Sequence, residues 1–254
     1  MLKNIETNHK KVIAFDLDGT LTESKQALDQ EMSQLICALL EKKKVAVISG
    51  GSFLLFQEQF LSHLKCQKNL LNLVLLPTSG SSFYKYVKGK WKLVYQHVLS
   101  QKDKKQIKAV FPKVFEDIGY KIPKKLYGPI IEDRETQITF SALGQKASLP
   151  KKKEWNKKHD RRQEIKKVLR RYLPQFEIRI GGLTSIDITK KGIDKAYAIK
   201  QIMKILKIDK KDIIFVGDAL FPGGNDYAVK KTKVDTVSVS GPAETKKLIC
   251  LLLK

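Results

Sequence analysis

The sequence predicts an α/β protein, a doubly wound Rossmann-like parallel-sheet core interrupted by an α+β insert. Three observations carry this. Short apolar runs rich in β-branched residues, at 12–15, 45–48 and 213–216, alternate with segments of helical periodicity. Each run stops abruptly at acids, serine or glycine, as strands do at the ligand-binding edge of a parallel sheet. Between about residues 83 and 187 the strand and helix patterns cease to alternate, which marks a separate α+β segment. A chain of 254 residues is long for one domain and short for two large ones, so a core with a smaller insert fits its length.

The first run ends in Asp16-Leu17-Asp18-Gly19-Thr20. Acids at alternate strand positions point to opposite sides, so both serve one site only if the chain curls just after Asp16. Gly19 permits that curl, although an isolated Asp-x-Asp-Gly is equally an Asx-type turn. Leu28, Met32, Leu35, Ile36, Leu39 and Leu40 then recur at helical spacing before Lys42, Lys43 and Lys44. The strand at 45–48 follows and ends in Ser49-Gly50-Gly51-Ser52, giving a right-handed crossover. A second helix is predicted over about 53–65, then an apolar segment at 70–76 closed by Pro77.

Runs at 83–87 and 91–94 around Lys88-Gly89-Lys90 read as a hairpin, which is antiparallel and is assigned to the insert. Helices over 102–118, where Pro112 interrupts, and 160–172 flank alternating strands at 130–143. The chain returns to the core near 185–192, so residues 1–82 and 188–254 form the core and 83–187 the insert. From Asp194 a helix carries Ala198, Ile199, Ile202, Met203 and Leu206 on one stripe. The strand at 213–216 ends in Gly217-Asp218, and a loop holding Pro222-Gly223-Gly224-Asn225-Asp226 leads to a strand at 236–240 and a helix at 243–253.

The formal charge is +23, and about +15 of it falls within 83–187. A nucleic-acid face, a basic cleft for an anionic substrate and a solvated lysine-rich surface all account for it. Cys37, Cys66 and Cys250 are odd in number and widely spaced, so neither a disulfide framework nor a metal knot is expected, and a reducing, cytoplasmic setting fits. Residues 1–11 lack the apolar core of a signal peptide, and the run at 70–76 is far too short to span a bilayer, so no membrane association is expected.

Strand ends of a doubly wound sheet share one edge, so Asp16, Asp18, Ser49 and Asp218 converge despite lying about two hundred residues apart. Carboxylates sharing a cleft repel unless a cation holds them, and oxygen-only ligands favour Mg²⁺, which in turn points to phosphate. Ser49, and Lys195 heading a helix, would supply donors to phosphoryl oxygens. Structural alternatives exist for each: Ser49 as a helix N-cap in competition with Ser52, Lys195 as an exposed first-turn lysine, Asp226 as the cap of the next helix.

Asp16-Leu17-Asp18-Gly19-Thr20, Ser49-Gly50, Lys195 and Gly217-Asp218 with Asn225-Asp226 resemble the four ordered motifs of the haloacid dehalogenase superfamily, and the insert resembles a type IIB cap. Gln57-Glu58-Gln59, Ile180-Gly181-Gly182, Ser185 with Asp187, and the 222–226 loop further resemble eukaryotic-type phosphomannomutases. The resemblance implies Asp16 as nucleophile and Asp18 as acid/base, with Ser49 and Lys195 stabilising the transferring group. It implies Mg²⁺ held by Asp16, Asp218 and the backbone carbonyl of Asp18, with Asn225 and Asp226 orienting that site. Substrate contacts are implied for Gly50, Arg134, Ser185 and Asp187.

Where the resemblance leads one to expect a further phosphate-gripping arginine, the chain has Gln145. A weaker grip on the far phosphate favours its escape to hydrolysis. The leading expectation is therefore a Mg²⁺-dependent phosphatase acting on a sugar phosphate or similar small phosphomonoester, with a phosphomannomutase-type phosphohexomutase as the alternative. A nucleic-acid-binding module using residues 151–171, with Trp155 and His159, is weaker because no recognised binding motif accompanies the charge. A homodimer is admitted.

Overall fold

The computed structural model describes Thr7 and residues 9 to 254; residues 1–6 and 8 of the polar N-terminal stretch lie outside them. The chain divides into two units, one formed by Met1–Gln96 with Asp194–Lys254 and the other by His97–Ile193.

The first unit is built on a seven-stranded sheet. Its elements are β1 (Val12–Asp16), α1 (Gln30–Lys42), β2 (Lys44–Ile48), α2 (Phe53–Gln59), β3 (Leu73–Leu76), β4 (Ser82–Val87) and β5 (Lys90–Gln96). For the second unit the elements are α3 (Gln101–Asp117), β6 (Ile131–Asp133), β7 (Gln137–Ser141), α4 (Leu149–His159), α5 (Arg162–Tyr172), β8 (Phe176–Ile180) and β9 (Ser185–Lys190). The chain then completes the first unit with α6 (Lys195–Leu206), β10 (Ile213–Gly217), β11 (Asp235–Ser238) and α7 (Pro242–Leu252).

The strand order in the first unit is β11-β10-β1-β2-β3-β4-β5, parallel from β11 through β3. β1 lies between β10 and β2, with Ala14 opposite both Phe215 and Ala46. Every residue of β1 is buried, as a parallel strand covered on both faces requires. Alternation then sorts its side chains: Ile13 and Phe15 join the core cluster with α1 and α7, while Val12 and Ala14 join the cluster with α6. The predicted doubly wound core is this sheet with its two apolar layers.

The hairpin β4–β5 extends this same sheet, with β4 antiparallel to β3 and β5 at the edge. The expected boundary at residue 83 is corrected: antiparallel pairing identified a hairpin but not the sheet that receives it, and Phe83 is buried in the α6-side core. The return at 188 is corrected as well. β9 pairs with both β7 and β8, so residues 185–190 form an interior strand of the second sheet.

That second sheet, β6-β7-β9-β8, is antiparallel throughout. Ile138 and Phe140 of β7 and Ile186 and Ile188 of β9 pack with Ile107, Phe111 and Val114 of α3 and Ile165, Val168 and Leu169 of α5. The alternate positions Gln137, Thr139, Ser141 and Asp187 are polar yet buried. Pro112 lies within α3 without ending it, although it offers the Lys108 carbonyl no amide. α4 and β8 were not anticipated: five of the eleven residues of α4 are lysines and its only buried residues are Lys152 and Trp155, which leaves little periodic signal. The predicted helix over 53–65 is shorter, because α2 gives way at Phe60 to a single 3₁₀ turn.

Cys37 on α1 and Cys66 are joined in a disulfide, with Cα atoms 5.5 Å apart. This overturns the expectation of unpaired thiols and removes the ground for the reducing, cytoplasmic inference. Twenty-nine residues separate the two in sequence, but the chain beyond the 3₁₀ turn packs back on α1, where the Lys65 amide donates to Ser33 Oγ at 3.1 Å. Cys250 is free and exposed. Among the described residues no helix is long and apolar enough to cross a membrane.

Candidate active site

The C-terminal ends of β1 and β10, the first turn of α6 and the loop after β10 gather three carboxylates around one ammonium group. Asp16 closes β1 and is 2% exposed. Lys195 is the first residue of α6, whose N-cap Asp194 accepts from the Tyr197 amide at 2.7 Å. Its ammonium lies 2.6 Å from Asp16 Oδ1 and also pairs with Asp226 Oδ1. An exposed first-turn lysine is thereby ruled out, since Lys195 is 2% exposed.

Asp218 follows β10 and is tied to the opening motif in both directions. Thr20 Oγ1 donates to Asp218 Oδ1 at 3.3 Å and accepts from the Asp218 amide at 3.1 Å. Gly19, at φ +89°, makes that approach sterically feasible: a Cβ there would stand 2.6 Å from Asp218 Oδ2. Gly217 serves the same end for Asp226, whose Oδ2 occupies the space a side chain at 217 would fill. Asp226 is fully buried and accepts from the Ala219 amide at 3.1 Å; it is not a side-chain cap for the 3₁₀ segment Tyr227–Thr232.

Asp16, Asp218 and Asp226 offer carboxylate oxygens that lie within 4.8 Å of one another. Three carboxylates against one lysine leave two negative charges in excess when all are ionised. Burial raises the Asp16 carboxyl well above the ordinary range; the Lys195 ammonium opposes this, and Asp226 and Asp218 add to it. Asp218 is raised by burial and by Asp226. Burial lowers Lys195, but Asp16 and Asp226 more than offset it and the ammonium form is favoured. Asp16 Oδ2 and Asn225 Oδ1 are both buried with no hydrogen-bond partner. Orphaned oxygens beside excess negative charge, with no sulfur or imidazole in the set, fit a hard divalent cation.

The remaining expected residues are placed as follows. Asp18 turns to Lys25, accepting from its amide at 2.6 Å and pairing with its ammonium at 3.4 Å, so its carboxylate is outside the three-acid cluster. Ser49 and Gly50 follow β2. Ser49 is buried and its Oγ accepts from the Gly51 amide at 3.0 Å, while Ser52 is the N-cap of α2. The competition between the two serines for the cap is thus decided for Ser52. Asn225 lies in the loop beside Asp226.

Arg134, Ser185 and Asp187 belong to the second unit. Arg134 donates from Nε and Nη2 to Glu132 Oε2 at 3.0 and 2.7 Å. Ser185 and Asp187 lie two apart on β9 opposite Ser141 and Thr139 of β7, and Thr139 Oγ1 donates to Asp187 Oδ1 at 2.8 Å. Two residues of the first unit's site were not singled out. Thr20 was visible within the motif, but its bridge to Asp218 spans 198 positions. Lys25 had no signal, since a left-handed backbone at φ +60° is what brings it to Asp18.

A doubly wound sheet whose strand ends carry this aspartate, lysine and acidic-loop arrangement defines an enzyme of the haloacid dehalogenase superfamily. Solved structures agree on the fold: N-terminally truncated IMP-nucleotidase of Plasmodium falciparum superposes with a TM-score of 0.69 at 18% identity, over 96% of this chain and 70% of that one. A family profile described as eukaryotic phosphomannomutase matches residues 32–254, and the chain belongs to that family. Relatives include the phosphomannomutase of Encephalitozoon cuniculi, 29% identical over 97% of this chain and 95% of its own length. A probable phosphomannomutase of Caenorhabditis elegans is 28% identical over 96% of each chain.

Proposed function

We propose that the protein is a phosphohexomutase of phosphomannomutase type, moving a phosphoryl group on a sugar phosphate through an aspartyl phosphate on Asp16. The observation that carries this is the buried Asp16 carboxylate, fixed through Oδ1 by Lys195 and left with an unpaired Oδ2, in a chain whose family profile is that of the mutases. This reverses the order of the two activities expected from sequence, where hydrolysis led.

In the proposed reaction an Asp16 carboxylate oxygen attacks phosphorus as the bond to the substrate oxygen breaks. Asp18 gives that leaving oxygen its proton and later takes one from the incoming hydroxyl, with Lys25 holding its carboxylate in the loop. Lys195 favours the ionised form of Asp16, orients it and offsets charge on the transferring group, with Ser49 and Gly50 lining the same sheet edge. Asp16, Asp218 and the Asp18 carbonyl would hold Mg²⁺, with Asn225 and Asp226 beside them; when bound, the ion supplies charge neutralisation for phosphoryl oxygens. In the second unit Arg134, Ser185 and Asp187 are proposed to contact the sugar phosphate.

Adding Mg²⁺ to chelator-treated protein is expected to raise Tm by about 5 to 10 °C at roughly a hundredfold excess over Kd. Asp218→Asn should remove most of that rise, and an unchanged Tm on adding Mg²⁺ to the wild type would overturn the cation reading.

One specific residue favours hydrolysis as the second reading. Gln145 replaces a charge-assisted grip with a neutral amide at the position where a further phosphate-binding arginine is expected. Mannose 1-phosphate and glucose 1-phosphate, assayed with and without a hexose bisphosphate, separate the two. Isomer formation that depends on the bisphosphate supports the mutase, whereas free phosphate without isomer sinks it.

A further inference from the structure

Alternation along β7 and β9 gives the second sheet one apolar face and one polar face. Ile138, Phe140, Ile186 and Ile188 on the first pack against α3 and α5. Gln137, Thr139 and Asp187 lie on the other and are buried as well. Burial of polar groups costs stability unless each is hydrogen-bonded, and apolar side chains would close this face at lower cost, as they do the opposite one. Packing alone therefore does not account for the polar set.

Its hydrogen bonds run in one direction. Thr139 stands opposite Asp187 across the β7–β9 pair, and its hydroxyl donates to Asp187 Oδ1 at 2.8 Å. A hydroxyl has one hydrogen, so with that hydrogen committed Thr139 Oγ1 only accepts, and it accepts from Gln137 Nε2 at 2.8 Å. The same order fixes which end of the Gln137 amide faces Thr139. Asp187 is also confined at its other oxygen: a Cβ on residue 181 would stand 2.9 Å from Asp187 Oδ2, so that approach requires Gly181. Arg162, buried and paired with Asp160 through Nε and Nη2 at 2.8 and 2.7 Å, donates to the Gly182 carbonyl and braces this loop.

We propose that Thr139 and Gln137 are positioning residues for Asp187, and that through them the second unit reads a hydroxyl of the sugar. A carboxylate repels a phosphate but accepts from a neutral O–H, so the hydroxyl and not the phosphate is what Asp187 recognises. Held by Thr139 at one oxygen and flanked by Gly181 at the other, the carboxylate meets a hydroxyl in one place, which makes the relay a determinant of which hexose phosphate binds. The inference rests on the sugar-phosphate reading of the second unit.

The test is calorimetric binding in an Asp16→Asn background, where the ligand is not turned over. The ligands are the tighter-binding of mannose 1-phosphate and glucose 1-phosphate, and its analogues that each lack one ring hydroxyl. One analogue is expected to bind about 10- to 100-fold more weakly than the parent sugar phosphate, the loss of a hydrogen bond to a charged group. Thr139→Val should weaken the parent by a similar factor and cut discrimination against that same analogue to within about threefold, as two changes to one contact do. Thr139→Ser, which keeps the hydroxyl, should retain the discrimination. Gln137→Met and Gly181→Ala should lower it, with circular dichroism confirming fold in each case; should Thr139→Val not fold, Gly181→Ala takes its place. Equal weakening of every ligand by Thr139→Val overturns the proposal, because a purely structural role produces that result. So does undiminished discrimination in Thr139→Val, or a background protein that binds all the ligands alike or none of them. The isomer assay tests the activity separately: isomer formation by the wild type, with undiminished discrimination in Thr139→Val, removes the relay and leaves the mutase reading standing.

Discussion

Asp16→Asn is expected to lower kcat by about 10⁴-fold or more while leaving the fold intact, because it removes the proposed nucleophile and nothing nearby replaces it. An amide oxygen does not form a stable bond to phosphorus under these conditions, and the two other carboxylates of the cluster are committed elsewhere: Asp226 to Lys195 and the Ala219 amide, Asp218 to Thr20. Stability should move the other way from activity. The substitution removes one of three mutually repelling charges, two of them buried and Asp218 half-buried, yet Lys195 retains Asp226, so without Mg²⁺ the variant should be at least as resistant to urea as the wild type. Its Mg²⁺-dependent gain in Tm should shrink in parallel. Phosphate release, isomer formation and detection of a phosphorylated peptide containing residue 16 are the readouts. Turnover within tenfold of wild type would remove the nucleophile assignment.

The local elements around this site were legible because they rest on local rules. β1, β2 and β10 are unbroken apolar runs, and each stops where the chain must turn. Asp16, Ser49 and Asp218 follow from those stops together with the convergence of parallel strand ends. What the sequence withheld are contacts made by tertiary packing. Nothing at Lys25 announces that a left-handed residue will wrap its amide onto Asp18, and nothing at Asp226 says whether it will cap a turn or share Lys195. β4–β5 has the alternation of a hairpin wherever it docks; only the pairing of Val74 with Lys85 and Leu75 with Tyr84 assigns it to the first sheet. Cys37 and Cys66 likewise gave no spacing signal, since their approach depends on the segment around Lys65 folding over α1. α4 was hidden by its own composition, since its buried residues are only Lys152 and Trp155 and five of its eleven residues are lysines.

Lys195→Met tests whether the same ammonium serves both fold and chemistry. Its side chain is 2% exposed between carboxylates that are 3% and 0% exposed, so the substitution leaves two buried anions, with Asp218 close by, and no counter-charge. Breaking a buried pair by removing one partner costs about 3 to 5 kcal/mol. The pH dependence has a definite sign. Asp16 and Asp218 already have carboxyls raised by burial and mutual repulsion, and loss of Lys195 raises Asp16 further. A carboxyl whose folded value lies above its unfolded value of 3.8 destabilises the native state fully above the folded value, and that penalty fades as pH falls toward 3.8. In chelator, urea denaturation should therefore show the variant's deficit largest near pH 8 and smaller near pH 5, and saturating Mg²⁺ should recover part of it by supplying the missing positive charge. The rate should fall by a further factor of about 10² to 10³ under conditions where the protein is fully folded, the loss typical of one preorganised donor to a transition-state charge. A stability deficit with unchanged single-turnover rate would make Lys195 a structural counter-ion alone. A rate loss with unchanged stability would mean that the buried carboxylates take up protons as easily as they accept the lysine, and that the excess charge at this sheet edge is not what the cation is there to neutralise.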